Sequence, residues 1–240
     1  MASLKTRKDC MLFLQKHFRL SLILVFLCTI GFAQKVTKIF YKDSVGLYSK
    51  QDFFYANKNI PFEFRDAIHI ALQFYPELSK TNIKFRIRKS KSPLAARPTF
   101  WAIFRKASKR KYIITISSYS NRKLTPILLK NLSFNSQVGV VGHELGHITF
   151  YQSRRGIYFI RLALMHLSKR AIDKFEFKTD KSCIEHGLGF QLLSWSVELR
   201  EKLKLPQWGG ANSPKGKRER YMNPITIINY MNTHPIYIVD

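Results

Sequence analysis

The segment Gln137–Tyr151 constrains the fold of this chain more than any other part of its sequence. Apolar residues and glycines make up most of it, and the titratable side chains of His143, Glu144 and His147 lie in its middle. This composition predicts a helix that is buried inside the protein. Since buried polar side chains are nearly always hydrogen-bonded, the two histidines need partners from elsewhere in the fold.

The spacing of the two histidines indicates what they can bind. Residues four apart on a helix differ by about 40° in direction, so His143 and His147 project from one face, one turn apart. Two imidazoles in this arrangement can bind one zinc ion. Glu144 projects from the adjacent face, where its carboxylate can act as a general base toward a water molecule on that metal.

A catalytic zinc site needs a third protein ligand. A histidine six residues after His147 would indicate a metzincin, but Ser153 occupies that position and excludes the class. The remaining candidates for the third ligand lie further along the chain: His166, Glu176, Asp180, Glu185 and His186.

Glu176 and Asp180 are four residues apart on a predicted helix and therefore share a face. Small residues such as Cys183 continue this face, which would let the helix approach segment 137–151 closely. Glu176 can then bind the metal while Asp180 accepts a hydrogen bond from a ligand histidine. His186 is the second choice for this ligand. The alternative is a solvated helix face, on which the two carboxylates pair with nearby lysines.

With these two elements the sequence resembles the gluzincins, zinc metallopeptidases that combine an HExxH helix with a glutamate on a later helix. The matching residues are His143-Glu144-Leu145-Gly146-His147 and Glu176-Phe177-Lys178-Thr179-Asp180, within a resemblance that spans Gln137–Leu193. The resemblance implies a zincin-like fold and one Zn²⁺ per chain. It also implies that His143, His147 and Glu176 are ligands, Glu144 the base and Asp180 a hydrogen-bond partner of a ligand. Thr179 departs from the alanine that is usual in one gluzincin branch.

The order of predicted elements favours an α+β fold, in which a small antiparallel or mixed sheet precedes the active-site helix and a mainly helical C-terminal half. Strands are predicted at 36–41 and 83–87, and as a β-hairpin of Pro98–Arg105 and Tyr112–Ser117. The predicted helices are 61–75, 126–132, 137–151, 157–169, 171–190 and 192–203, and a last short helix opens with Asn223 as N-cap and Pro224 after it. We expect one domain over 34–240.

Two further parts of the chain are candidates for contact with a substrate. Pro98–Arg105 is the candidate for a sheet edge beside the site, because proline is largely confined to edge strands. Such an edge can pair with an extended peptide through main-chain hydrogen bonds, and an ordinary packing strand is the alternative. Tyr221 and His234 are candidate donors to a developing oxyanion.

The charge of the chain is strongly unbalanced, since 41 Lys and Arg face 15 Asp and Glu, for a net charge of +26. Such a surface attracts anionic partners. The basic runs Lys89–Lys91, Arg105–Lys111 and Lys215–Arg220 are candidates for contact with an anionic envelope surface. No nucleic-acid-binding motif is present, so specific nucleic acid binding is not expected. The mostly apolar helix 157–167 is assigned to the core, with a cleft cover or a membrane contact as alternatives.

The N-terminus has the pattern of an export signal. Basic residues precede an apolar stretch over 20–33, which ends in small residues before Gln34. We therefore predict a signal peptide over 1–33 and a periplasmic or extracellular location, with an uncleaved membrane anchor as the alternative. Cleavage would leave Cys183 as the last cysteine, which we expect to be a small buried residue.

Together these features predict an exported zinc-dependent endopeptidase that acts on peptide or protein substrates. The alternative is a non-catalytic, metal-containing protein whose basic surface binds the cell envelope. Three cysteines exclude a dense disulfide scaffold and a zinc site of four thiolates. Glu144 distinguishes the two hypotheses, because a structural metal site needs no base.

Overall fold

A computed structural model describes residues 36–44, 56–154, 156, 158–165, 167–205 and 219–238. The predicted export signal at 1–33 and His166 lie outside the described residues, as does most of the basic run Lys215–Arg220. Within the described ranges, no helix is long and apolar enough to cross a membrane.

The described strands form a small mixed sheet: β1 Lys58–Asn59, β2 Asn82–Arg88, β3 Leu94–Pro98 and β4 Lys111–Ser117. Their spatial order is β1-β2-β4-β3, in which β3 runs antiparallel to β4 and the other pairs are parallel. The prediction of a half-buried strand at 83–87 is confirmed, because Ile83 and Phe85 are buried while Lys84 is exposed. With the helices that follow, this confirms an α+β fold with a small mixed sheet.

The predicted hairpin is right in its second strand and wrong in its first. The strand that pairs with β4 is Leu94–Pro98, not Pro98–Arg105, and the register places Ala96 opposite Ile114. Beyond Pro98 the chain leaves the sheet and forms a 3₁₀ helix, Phe100–Phe104. The aromatic residues of that helix have high strand propensity, which local sequence reasoning overvalues when no partner strand is in reach.

The described helices are α1 Arg65–Gln73, α2 Phe134–Gln152, α3 Tyr158–Met165, α4 Lys169–Cys183, α5 Gly189–Lys202 and α6 Pro224–Thr233. The prediction of a buried helix at 137–151 is confirmed by α2, in which residues 138–148 are all buried. This helix contacts β3 on the sheet as well as α1, α4 and α5. It is therefore the element around which the core is assembled.

Helix α5 lies close to α2 at Gly139. A Cβ atom at this position would lie 2.2 Å from the main-chain oxygen of Gln191. Any larger residue would therefore push the two helices apart. This close approach brings α5, with Trp195, against the part of α2 that carries the histidines.

Helices α4 and α5 are joined by a π-helical turn, Ile184–Leu188, in which Gly187 has a φ of 89°. Glycine adopts such a positive φ without steric cost. The sequence predicted the boundary between the two helices at 190–192, and the structure places it a few residues earlier, in this turn. Cys183, the residue before the turn, is fully buried as expected.

Two local predictions are wrong. Residues 36–41 form no strand, because the Asn135 side chain binds the Phe40 main chain in place of a neighbouring strand, with hydrogen bonds of 2.9 and 3.0 Å. The helix predicted at 126–132 is a pair of 3₁₀ turns, Thr125–Ile127 and Leu129–Asn131, because the residue between them is extended.

The start of the last helix is as predicted, with Asn223 at the N-cap and Pro224 after it. The Asn223 side chain does not cap the helix, however. Its Oδ1 accepts a hydrogen bond from the Arg200 guanidinium instead. The residue at the cap therefore links α6 to α5.

Candidate metal centre

Helix α2 presents His143 and His147 on one face, one turn apart. Their ring centres are 4.8 Å apart and the rings are perpendicular. The Nε2 atoms of both rings lie 3.2 Å from the same atom, Oε2 of Glu176 on α4. The structure thus brings the two predicted histidines and the first candidate for the third ligand together.

The second nitrogen of each imidazole is bound by another residue of α4. Nδ1 of His143 lies 2.7 Å from Oδ1 of Asp180, and Nδ1 of His147 lies 3.2 Å from the Thr179 hydroxyl. That hydroxyl donates to a main-chain carbonyl one turn earlier, so its oxygen accepts from the His147 ring. Both rings therefore carry a proton on Nδ1, and Nε2 is the atom that faces Glu176 and can act as a metal ligand.

One turn of α4 supplies all three of these partners. Asp180 is almost fully buried, and its Oδ2 accepts a hydrogen bond of 2.7 Å from the main-chain N–H of Met222, which fixes the carboxylate. Sequence reasoning identified Glu176 and Asp180 but missed the contact of Thr179 with His147. Its position three residues after Glu176 puts it on the same helix face, so the spacing could have revealed it.

Opposite charges hold this cluster together. Burial alone would raise the pKa of Glu176, but the hydrogen bonds from His143 and His147 outweigh burial and hold that pKa well below its usual range. Burial alone would lower the pKa of His143, but Asp180 and Glu176 outweigh it and raise that pKa well above the usual value. Without a metal, the cluster is therefore an ion-paired group.

His143, His147 and Glu176 could hold a metal ion. One nitrogen or oxygen atom from each lies within 4.8 Å of the others, and two of the three residues are buried. The carboxylate oxygen faces two imidazole nitrogens at once, so a single cation can reach all three donor atoms. This confirms that the three predicted residues form a group able to bind metal, without fixing which metal.

Glu144 lies next to this cluster and is also buried, with 6% of its surface exposed. Burial raises the pKa of its carboxyl, and the two histidines offset this only in part. Its Oε2 accepts a hydrogen bond of 2.5 Å from the main-chain N–H of Ala96 in β3. The strand beside the site is therefore Leu94–Pro98, which corrects the earlier assignment to Pro98–Arg105.

A cavity of about 580 Å³ opens beside His143 and Glu144. Leucine and isoleucine side chains from β3, from segment 124–132 and from the end of α5 and the residues after it form much of its wall. Trp195 and Tyr221 also line it. The ring centre of Tyr221 lies 5.7 Å from that of His143. Burial raises the pKa of the Tyr221 phenol, which keeps it protonated and able to donate.

The other candidate residues do not join the cluster. His234 follows the end of α6, where its Nδ1 accepts from the main-chain N–H of Ile236, and it does not line the cavity. Glu185 is paired with Lys181 on the exposed side of the chain. His186 is paired with Glu77 at 2.9 Å.

The chain matches no family model, no curated protein and no solved structure. Its function therefore has to be inferred from the geometry of the cluster and of the surfaces next to it.

Proposed function

We propose that this chain is a zinc-dependent endopeptidase with a gluzincin-type ligand set and a zincin-like fold. The observation that supports this most is the convergence of His143, His147 and Glu176, with Glu144 buried beside them. Two imidazoles and one carboxylate are a ligand set of catalytic zinc sites, in which a fourth position stays open. Calcium and magnesium prefer sites made of oxygen atoms alone, which favours zinc.

Zinc in this position would supply Lewis-acid chemistry, since it polarises a carbonyl oxygen and lowers the pKa of water. The carboxylate of Glu144 takes the proton of the attacking water and passes it to the leaving amine nitrogen. The N–H of Ala96 orients it. The phenol of Tyr221 is the proposed donor to the developing oxyanion.

A peptide substrate fits the surroundings of Glu144. β3 is an edge of the described sheet, so an extended peptide can add to it as a further strand. The cavity beside His143 and Glu144 has mostly apolar walls, which suits a large apolar side chain close to the bond that is cleaved.

Hydrolysis of a library of quenched fluorescent peptides by the full chain tests this proposal. The wild type should cleave, and a zinc chelator should stop cleavage. Glu144→Gln should lower kcat by a factor on the order of 10²–10⁴, because it removes the general base, while elemental mass spectrometry shows zinc retained. Glu185→Gln, which removes an exposed carboxylate, should behave as the wild type does.

Two results would contradict the proposal. Hydrolysis that survives Glu144→Gln would rule out this carboxylate as the base. Zinc binding without cleavage by the wild type would instead favour a non-catalytic, metal-containing binding protein.

Export is also proposed, on the N-terminal sequence pattern alone. The N-terminal residue of the protein isolated from the producing cells tests it. A chain that begins at Gln34 outside the cytosol would show cleavage of the signal. An intact N-terminus in the membrane fraction would show an anchor, and a cytosolic chain would contradict export.

A further inference from the structure

The 3₁₀ helix that follows β3 presents three aromatic side chains to solvent. Phe100, Trp101 and Phe104 are 71%, 65% and 73% exposed. The ring centre of Trp101 lies 5.2 Å from that of Phe100 and 6.2 Å from that of Phe104, so the rings form one cluster. Contiguous exposed apolar groups of this kind mark interaction surfaces.

Buried contacts hold this segment in place. Ala102, in the middle of the helix, is fully buried, and its carbonyl accepts a hydrogen bond of 3.1 Å from the N–H of Arg105. The guanidinium of buried Arg110 donates to the carbonyls of Arg105 and Tyr151, at 3.1 Å each. The aromatic rings therefore face solvent because the fold anchors the backbone behind them.

Basic side chains flank the aromatic cluster along the chain. The exposed members are Arg97, Arg105, Lys106, Lys109 and Lys111. They belong to a stretch, 78–143, that contains 15 Lys and Arg and no Asp or Glu. This part of the chain therefore has a single sign of charge next to an exposed apolar cluster.

We propose that the aromatic–basic surface, defined as Phe100, Trp101, Phe104, Arg105, Lys106 and Lys109, docks the protein on an anionic phospholipid bilayer. Tryptophan and phenylalanine side chains favour the boundary between lipid headgroups and acyl chains. Each Lys or Arg near an anionic membrane strengthens binding roughly fivefold.

The arrangement of the rings favours lipid over single-stranded nucleic acid. Proteins that bind single strands offer ring faces on which bases stack along a basic groove. Here the rings of Phe100 and Trp101 are inclined at 84° and those of Trp101 and Phe104 at 45°, so they pack against one another and offer no series of parallel faces.

Docking would place the candidate site near the membrane. Only Thr99 separates Pro98, the end of β3, from Phe100, and Ala96 in that strand contacts Glu144. A peptide added to the β3 edge would therefore lie next to the bilayer surface. The docking itself does not depend on peptidase activity, so it can be tested separately.

Fluorescence quenching reports directly on Trp101. The full chain is mixed with phosphatidylcholine vesicles that contain about 30% phosphatidylglycerol and brominated acyl chains. We expect these lipids to quench tryptophan emission, and Trp101→Phe to remove most of that quenching. Vesicles of phosphatidylcholine alone should bind at least about tenfold more weakly, and high salt should weaken binding to the anionic vesicles.

Sedimentation with the same vesicles separates the two parts of the surface. The double substitution Trp101→Ser and Phe104→Ser should weaken binding at least about tenfold, whereas Phe62→Ser, at an 81% exposed residue elsewhere, should not change it. Arg105→Gln, Lys106→Gln and Lys109→Gln together should weaken it about a hundredfold. The matched control replaces Lys174, Lys178 and Lys181 on α4 by Gln. All variants keep the apolar segment 20–33, so differences between them report this surface.

Three outcomes would overturn the proposal. One is binding that is unchanged in the aromatic and basic variants, and another is equal binding to vesicles with and without phosphatidylglycerol. The third is binding of single-stranded DNA without binding of vesicles, which would assign the surface to nucleic acid instead.

Discussion

Two histidine–carboxylate groups among the described residues differ in how many donor atoms meet. One joins α2 to α4, and the other joins His186 of the π-helical turn to Glu77 in a 3₁₀ helix, Pro76–Leu78. In the candidate metal cluster, defined as His143, His147 and Glu176, two Nε2 atoms face one carboxylate oxygen. In the second group, His186 meets a single carboxylate, Glu77, and its Nδ1 lies 2.7 Å from the main-chain oxygen of Ser182.

The second group is completed by contacts that a metal site does not need. Tyr75 stacks on His186 with ring centres 4.1 Å apart, and the Thr149 hydroxyl donates to Glu77 at 2.9 Å. Both nitrogens of the single imidazole, His186, already have hydrogen-bond partners, so this group offers no set of metal ligands. Residue types alone therefore do not make a metal site, because several donor atoms have to converge on one point.

The largest expected effect concerns zinc binding by the two glutamates. Glu176→Ala removes a proposed ligand and should weaken zinc binding by more than about a hundredfold. This is more than the loss of a residue that only hydrogen-bonds to a ligand would cost. Glu77→Ala should leave about one zinc per chain. Elemental mass spectrometry and titration against a competing chelator measure both. Zinc loss in the Glu77 variant, or full retention in the Glu176 variant, would reverse the assignment of the two groups.

The next effect concerns the residue that orients His143. An aspartate has two acceptor oxygens, which Asp180 uses for His143 and for the N–H of Met222. Asn has only one, so Asp180→Asn should weaken zinc binding about 10- to 100-fold. Asp173→Asn, which affects only an ion pair with Arg220 at 3.9 Å, serves as the control in the same titration. Equal affinities would show that Asp180 does not support the metal site.

The Glu77–His186 pair should make a pH-dependent contribution to stability. Burial lowers the pKa of His186 and raises that of Glu77, but their mutual hydrogen bond outweighs burial, so the net shifts are upward for His186 and downward for Glu77. The contribution of His186 to the free energy of unfolding is therefore fully present below about pH 6.5. It is lost as the pH rises through the pKa of His186 in the folded protein. The glutamate contribution is present above about pH 4.3 and is lost as the pH falls through its folded pKa.

Urea unfolding of the wild type and Glu77→Gln measures this contribution. The free energies of unfolding should differ most between about pH 4.3 and 6.5. We expect about 0.5–1 kcal/mol, because the Glu77 side chain is 38% exposed and water screens the pair. If the difference in unfolding free energy between the two proteins were the same at pH 5 and pH 9, the Glu77–His186 ion pair would not be its cause.

The smallest effect is expected at Thr179. Thr179→Ala removes the acceptor for Nδ1 of His147 and should weaken zinc binding by less than about tenfold, since a neutral hydroxyl supports a ligand less than a buried carboxylate does. Thr179→Ser keeps the hydroxyl and should restore the affinity in the same chelator titration. If Thr179→Ala lost as much zinc affinity as Asp180→Asn does, the hydrogen bonds to His147 and to His143 would support the site equally.

Helical spacing was sufficient to predict most of the cluster. His143 and His147 are four residues apart, as are Glu176 and Asp180, and helix geometry alone places each pair on one face. Sequence reasoning ranked Glu176 before His186 as the third ligand, but it could not show that Glu176 meets the histidines, because that depends on how the π-helical turn directs α4 and α5. Packing between distant segments decides which side chain meets the two histidines, and such packing produces no local pattern in the sequence.

The sheet shows the same limit. The strand at 83–87 alternates clearly and was predicted, whereas Leu94–Pro98 is a strand only because β4 lies beside it. The aromatic residues of Pro98–Arg105 favour sheets and so predict a strand where the structure has the 3₁₀ helix Phe100–Phe104. The N–H of Ala96 that orients Glu144 therefore belongs to a segment that strand propensity does not identify.

The polar side chains of the candidate metal cluster and of its hydrogen-bond partners come from two stretches of five residues each, 143–147 and 176–180. The rest of the chain supplies volume, apolar surface and the main-chain N–H groups of Ala96 and Met222, which many different sequences can do. Natural chains can therefore inherit this pair of stretches while nearly all other positions drift. Distant descendants of a common ancestor would then be recognised by the geometry of ten positions more readily than by overall identity.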